Sequence, residues 1–260
     1  VNELENFTNT TFRLDGRVAI VTGGASGLGA YYTKALLSSG ASVLVVSRSK
    51  KGWETIQDFA TAGKYLVAFY QQDITADGSA QAIAERAVAE YGTIDILVNN
   101  AGIQIRNEWQ DFKDADWRKV IDVNLNAAYY LSHAVAEVMT EHDGGKIINI
   151  GSMQSFLPGK YIFPYAAAKH GIVGLTKAYA EALAPHNIQV NALAPGYIDT
   201  LMTKALQEDP VRSVEILDHI PAGHWAQPQE LMGTLVFLAS AASNYVTGIT
   251  VPVDGGYLLR

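Results

Sequence analysis

From about residue 17 onward, short apolar, β-branched runs bounded by Gly or Asp alternate with stretches of ten or more residues in which apolar positions recur at helical spacing. A run of four or five apolar residues without polar alternation suits a strand buried on both faces. Strands separated by helical stretches of that length belong to a parallel sheet covered by helices on both sides. The pattern predicts strands at residues 18–22, 42–46, 66–70, 94–98, 146–150, 189–192 and 249–253. It predicts helices over 30–38, along one long element carrying Trp117, Val120, Ile121 and Leu125, from 165 to 183, and over 229–239. The expected fold class is α/β, a doubly wound parallel sheet of about seven strands in three layers, α/β/α.

The first expected strand runs into Thr22-Gly23-Gly24-Ala25-Ser26-Gly27-Leu28-Gly29. Glycines between a first strand and a first helix let backbone N–H groups approach a pyrophosphate, and the helix start adds partial positive charge. This position makes a Rossmann dinucleotide site the expectation, with Gly23, Ser26, Gly27, Leu28 and Gly29 against the cofactor. The second strand ends in Ser47-Arg48-Ser49-Lys50-Lys51, with no carboxylate to hold a ribose 2′-hydroxyl. Arg48 suits a phosphate, so NADP is favoured over NAD, with Ser47 beside it, although these cations also fit the solvated start of a helix. Asp73, next to Ile74, can accept from an adenine amine or cap the helix that begins near Gly78. Asn100, Ala101 and Gly102 read as the cofactor floor. Pro195, Gly196, Ile198 and Thr200, in a turn after the sixth strand, read as the nicotinamide end.

One domain is expected over residues 12–260, with 1–11 as a flexible polar segment and 201–225 as a lid over the substrate. At 260 residues and 48% hydrophobic composition, one substantial core is affordable. The absence of cysteine removes thiolate metal sites and cysteine nucleophiles, and the six histidines show no ligand spacing, so no catalytic metal is expected. A formal net charge of −7 argues against nucleic-acid or anionic-membrane partners. The polar start resembles neither a signal peptide nor an anchor, and a cytoplasmic location is expected.

The chemistry concentrates between Ser152 and Lys169. In Tyr165-Ala-Ala-Ala-Lys169 the alanines favour helix, and residues four apart share a face, so the ammonium is expected beside the phenol. An ordinary phenol titrates near ~10, and a neighbouring cation lowers it toward a useful acid/base. Ser152, at the end of an apolar run, can polarise a carbonyl oxygen. Asn124, a polar residue on an apolar helix face, is expected to satisfy backbone or hold a water that links Lys169 to solvent.

Taken together, these motifs closely resemble the short-chain dehydrogenase/reductase family over about residues 12–260. The resemblance implies catalytic Asn124, Ser152, Tyr165 and Lys169, a cofactor loop at Gly23, Gly27 and Gly29, and an adenine contact at Asp73. Within the family, residues 103–112, 145–152 and 216–260 look most like sugar-acid dehydrogenases, first the 2-dehydro-3-deoxy-D-gluconate 5-dehydrogenases and next the gluconate 5-dehydrogenases. Two departures stand out: His224 where relatives often carry Arg, and the basic Arg48. Relatives of this kind are commonly tetramers, so a homotetramer is expected.

The expected activity is hydride transfer between NAD(P)(H) and a hydroxyl or ketone of a sugar acid, with Tyr165 as acid/base. A 3-oxoacyl thioester reductase shares the same catalytic residues, and a dinucleotide-sensing binding protein is the reading outside enzymes. For the substrate, Arg106 is the expected carboxylate partner, with a solvated Arg paired to Glu108 or Asp111 as its alternative. Gln154, Lys160 and Tyr197 are further substrate-facing candidates, Lys160 being the reserve cation.

Overall fold

In a computed structural model, which describes residues 9–201 and 203–260, each of the seven apolar runs becomes a strand. They are β1 (Val18–Thr22), β2 (Ser42–Ser47), β3 (Val67–Gln71), β4 (Ile96–Asn99), β5 (Gly145–Ile150), β6 (Ile188–Pro195) and β7 (Thr250–Val253). All pair in parallel in the order β3-β2-β1-β4-β5-β6-β7. The fold is the expected Rossmann-type α/β sheet.

The helices are α1 (Gly27–Ser38), α2 (Trp53–Gly63), α3 (Ser79–Tyr91), α4 (Asp114–Ile121), α5 (Ala127–Glu141), α6 (Phe163–Leu183), α7 (Lys204–Gln207), α8 (Pro210–His219) and α9 (Met232–Ala239). Successive strand residues point to opposite faces. Ala19, Val21, Val43 and Val45 therefore pack toward α1, α2 and α9, while Ile20, Leu44 and Val46 pack toward α3, α5 and α6. Burial on both faces is why these strands read as unbroken apolar runs.

The structure corrects several boundaries. β4 begins at Ile96 rather than 94, because Asp95 is spent at the strand entrance, where its carboxylate accepts from Val18 N (2.9 Å) and Arg17 Nη1 (2.7 Å). The long helix expected through Leu125 is split by a π-helical turn, Asp122–Asn126, between α4 and α5, and Trp117, on α4, is exposed. The last helix is shorter than expected, with a 3-10 turn over Pro228–Leu231 before α9. The expected lid carries α7 and α8, the latter started by Asp209, whose carboxylate accepts from Val211 N and Arg212 N (3.0 Å each), and by Pro210. Of the terminal segment 1–11, residues 1–8 lie outside the described residues, and Asn9–Phe12 form a 3-10 turn. Among the described residues no helix is long and apolar enough to cross a membrane.

Candidate active site

Strand order fixes where a ligand can sit. The chain moves outward from β1 to β2 and β3, then returns to β4 on the other side of β1, so the connections after β1 and β4 diverge at the carboxyl edge. A cleft of about 400 Å³ occupies that crevice. The glycine turn (Gly23, Ser26, Gly27, Leu28, Gly29) lines it, as do Ser47 and Arg48 after β2 and Asp73 and Ile74 after β3. Asn100, Ala101 and Gly102 after β4 complete the floor, with Pro195, Gly196, Ile198 and Thr200 after β6. Ser152, Tyr165 and Lys169 lie on the same cleft.

The glycine turn fits a dinucleotide. A Cβ on Gly29 would stand 2.2 Å from Gly23 O, and Gly23 has φ +64°, so this wall is bare backbone by steric necessity. α1 starts at Gly27, three residues earlier than expected, and turns its positive end toward the cleft. Thr22, which sequence reasoning passed over, joins the two loops: its Oγ1 accepts from Asn100 N and Ala101 N (3.0 Å each), and Asn100 Nδ2 donates to Thr22 O (2.8 Å). Thr203 was also missed. It lines the cleft, donates to Ile198 O (2.5 Å) and accepts from Thr200 N (3.2 Å), which fixes the turn after β6.

At the far end of the cleft Arg48 is joined by Lys51, a second cation where the sequence had offered these lysines only as the solvated start of a helix. Asp73 does not cap α3, whose N-cap is Gly78. Its carboxylate accepts instead from Thr75 N (2.9 Å) and Thr75 Oγ1 (2.8 Å). Those bonds hold the Asp73 pKa below the usual carboxylate range, with a smaller contribution from the charge of Arg48.

The chemical end is built on β5 and α6. Ser152, 8% exposed, caps a 3-10 turn over Met153–Ser155: its Oγ accepts from Gln154 N (3.2 Å), and its N–H donates to Ser155 Oγ (3.2 Å). Burial raises the Tyr165 pKa, and a hydrogen bond with the Ser152 side chain works in the opposite direction. The expectation that Lys169 lowers the Tyr165 pKa needs correction, because burial outweighs every other influence on the phenol. The Lys169 ammonium is 5.5 Å from the Tyr165 ring centroid and donates to Ile150 O (2.6 Å), because a buried ammonium takes the nearest strong acceptor. Burial brings its own pKa down to about 8. At neutral pH the phenol is therefore protonated, the form that can give a proton to an oxygen.

Asn124 is 2% exposed on the π turn. Its Oδ1 accepts from Ile103 N (2.8 Å) and its Nδ2 donates to Ile103 O (2.7 Å). The amide thus fixes the loop after β4. Beneath the loop, Asn99 Nδ2 donates to Ser132 Oγ (3.0 Å) and Asn149 Oδ1 (2.9 Å), and Asn149 Nδ2 donates to Thr176 Oγ1 (3.0 Å). This buried network ties β4, β5, α5 and α6 together, and the apolar pattern gave no hint of it.

The four substrate candidates do not line the cleft. Arg106 pairs with neither Glu108 nor Asp111; its guanidinium lies 4.8 Å from the Tyr161 ring centroid. Lys160 Nζ is 4.9 Å from the same centroid. Among the described residues the Gln154 side chain has no hydrogen-bond partner, and its Oε1 is sealed from solvent. Tyr197 packs edge-on against Trp225 (5.1 Å) and Tyr257 (5.2 Å), and burial pushes its phenol up to about 12. His224 Nε2 faces Glu230 Oε1 (3.2 Å), so it fastens the end of the 201–225 segment to the turn before α9.

A bound nicotinamide dinucleotide gives or takes a hydride, and the reacting oxygen must exchange a proton with the protein; a bare-backbone cradle and a protonated phenol on one cleft meet both needs. The protein is a nicotinamide-dependent oxidoreductase. The short chain dehydrogenase family model matches residues 17–211, and the chain belongs to that family. It is 47% identical over 260 residues to an uncharacterized oxidoreductase of Escherichia coli K12, covering 100% of this chain and 99% of the relative. It is 44% identical over 252 residues to the 2-dehydro-3-deoxy-D-gluconate 5-dehydrogenase of the same strain, covering 96% and 99%. A crystal structure of a gluconate 5-dehydrogenase from Burkholderia cenocepacia, in complex with NADP and tartrate, superposes with a TM-score of 0.92 at 39% identity, covering 96% and 98%.

Proposed function

We propose that the protein transfers a hydride between NADP(H) and a hydroxyl or ketone of a sugar acid, as a 2-dehydro-3-deoxy-D-gluconate 5-dehydrogenase does. The observation that carries this reading is the likeness to such an enzyme along nearly its whole length. Arg48 and Lys51, with no carboxylate at the end of β2, support NADP over NAD. In the reducing direction, the Ser152 hydroxyl donates a hydrogen bond to the substrate carbonyl oxygen and Tyr165 gives it a proton as negative charge develops there. Lys169 then stabilises the phenolate that remains, and Asn124 keeps the loop after β4 in register with it. Arg106, exposed on that loop, takes the carboxylate of the sugar acid.

The reading extends to a cytoplasmic homotetramer with one Rossmann domain per chain. Tyr129 and Tyr130 on α5 and Trp117 on α4 are exposed aromatics on outer helices, the area that symmetric helix pairing would cover. The decisive assay offers keto-deoxy sugar acids, keto-gluconates and 3-oxoacyl thioesters, each with NADH and NADPH. Turnover of a keto sugar acid with NADPH at ten or more times the kcat/KM of any thioester is the expected result. Preference for the thioester would sink the proposal.

A further inference from the structure

Residues 102–107 leave the floor of the cleft, and residues 157–162 lead into α6. These two loops meet where Asn107 N donates to Tyr161 O (3.1 Å). From opposite sides of that junction two cations reach one ring: Arg106 Cζ is 4.8 Å, and Lys160 Nζ 4.9 Å, from the centroid of half-buried Tyr161. Each contact is a favourable cation–π distance. Two like charges thus share one aromatic ring in a protein of net charge −7. Neither cation makes an ion pair among the described residues. Glu108 acts on Lys160 only through space, and Arg106 also acts on the Tyr197 phenol across the rim. The ring holds the two charges in place without neutralising either.

We propose that Tyr161 is the platform of a two-cation carboxylate site, on which Arg106 and Lys160 together grip the anionic end of the substrate. The inference rests on the sugar-acid reading above and goes further than it, since Lys160 becomes a partner of Arg106 rather than its substitute and Tyr161 gains a role. The site takes the carboxylate of the substrate. Tyr161 stands four residues before Tyr165 and Arg106 four beyond Gly102, so both loops that carry the cations run directly from the reacting end.

The test compares wild type with Arg106→Ala, Lys160→Met, Tyr161→Leu and the Arg106→Ala/Lys160→Met double variant. It measures reduction of a keto sugar acid and of an uncharged hydroxyketone of similar size with NADPH. Each single variant is expected to lower the acid-to-ketone ratio of kcat/KM about tenfold, chiefly through KM, the scale of one charge-assisted bond. The double variant should lose less than the product of the two singles, because both cations share one anion. Equal losses on acid and ketone in Lys160→Met and Tyr161→Leu would mean that the pair only shapes the loop, and would overturn the inference. So would strictly multiplicative losses, or loss confined to Arg106→Ala. A wild type with no preference for the acid would instead count against the sugar-acid reading itself, which separates the two failures.

Discussion

β5 has a buried lysine at each end. Lys146 opens the strand at the amino edge of the sheet and is 8% exposed; Lys169, 5% exposed, reaches the other end from α6 and bonds Ile150 O. Burial brings both ammonium groups down to about 8, with the charge of Arg17 adding to the effect at Lys146. Their surroundings differ. Lys146 Nζ donates to Asn244 Oδ1 (2.8 Å) and Ser243 Oγ (3.4 Å), neutral acceptors that tie the strand entrance to the end of α9. Lys169 has a phenol and a serine hydroxyl for neighbours, on a cleft that admits a cofactor. A perturbed pKa thus marks burial at both ends, and only the groups beside it decide whether the charge can serve a reaction.

Tyr165→Phe tests the comparison at its strongest point. It removes the proton donor and almost no contact area, so kcat should fall by ~10² to 10⁴ while the dissociation constant for NADPH, followed by fluorescence titration, stays within about twofold. A variant keeping more than a tenth of the wild-type rate would leave the carboxyl edge no more chemical than the amino edge.

Exchanging the two lysines for methionine is the next most sensitive experiment. Lys169→Met should cost on the order of 10² in kcat, because the phenolate formed in turnover loses its cation. Lys146→Met should change kcat less than about threefold and register in thermal unfolding instead. If both variants lost activity equally, the amino edge would be coupled to the reaction through β5, and the contrast would fail.

Charge at the carboxyl edge can also be probed away from the reacting atoms. Arg48→Asp places a carboxylate where a 2′-phosphate would lie and should lower the NADPH-to-NADH ratio of kcat/KM by about tenfold or more. Lys51, still on the rim, limits the shift. An unchanged ratio would show that Arg48 only solvates the start of α2.

The fold was legible because strands buried on both faces announce themselves as apolar runs, and the glycine turn has no other economical reading between β1 and α1. The site was legible as a set of residue types at fixed spacing. What spacing could not reveal was direction. Tyr165 and Lys169 share a helical face as expected, yet the amine turns to Ile150 O, since a carbonyl at the strand end is the better acceptor once water is gone. Asn124 was recognised as a buried amide, but its partner, the backbone of Ile103, lies on another loop. Arg106 was expected either to face substrate or to pair with a local acid, and its actual neighbour, the Tyr161 ring, is 55 positions away in the chain. Contacts made across loops carry no periodic signature.

The smallest effect is the dependence of stability on pH, and here the two lysines should behave alike. Each has a folded pKa of about 8 against an ordinary value of 10.5, so between these values the unfolded chain holds more protons than the folded one. Stability must therefore rise with pH across that window: the penalty is fully present below pH 8 and gone above 10.5, with a slope approaching ~1.4 kcal/mol per pH unit for each lysine. Burial raises the phenols of Tyr91, Tyr179 and Tyr197 to about 12, which reverses the trend once unfolded tyrosines begin to ionise near 10. The clean interval is pH 8 to 10, read by urea unfolding at closely spaced pH values. Lys146→Met should remove about half of the rise, and Lys169→Met the other half. A slope untouched by Lys146→Met would mean that the amino-edge ammonium is solvated rather than buried, and the two ends of β5 would then differ in burial as well as in chemistry.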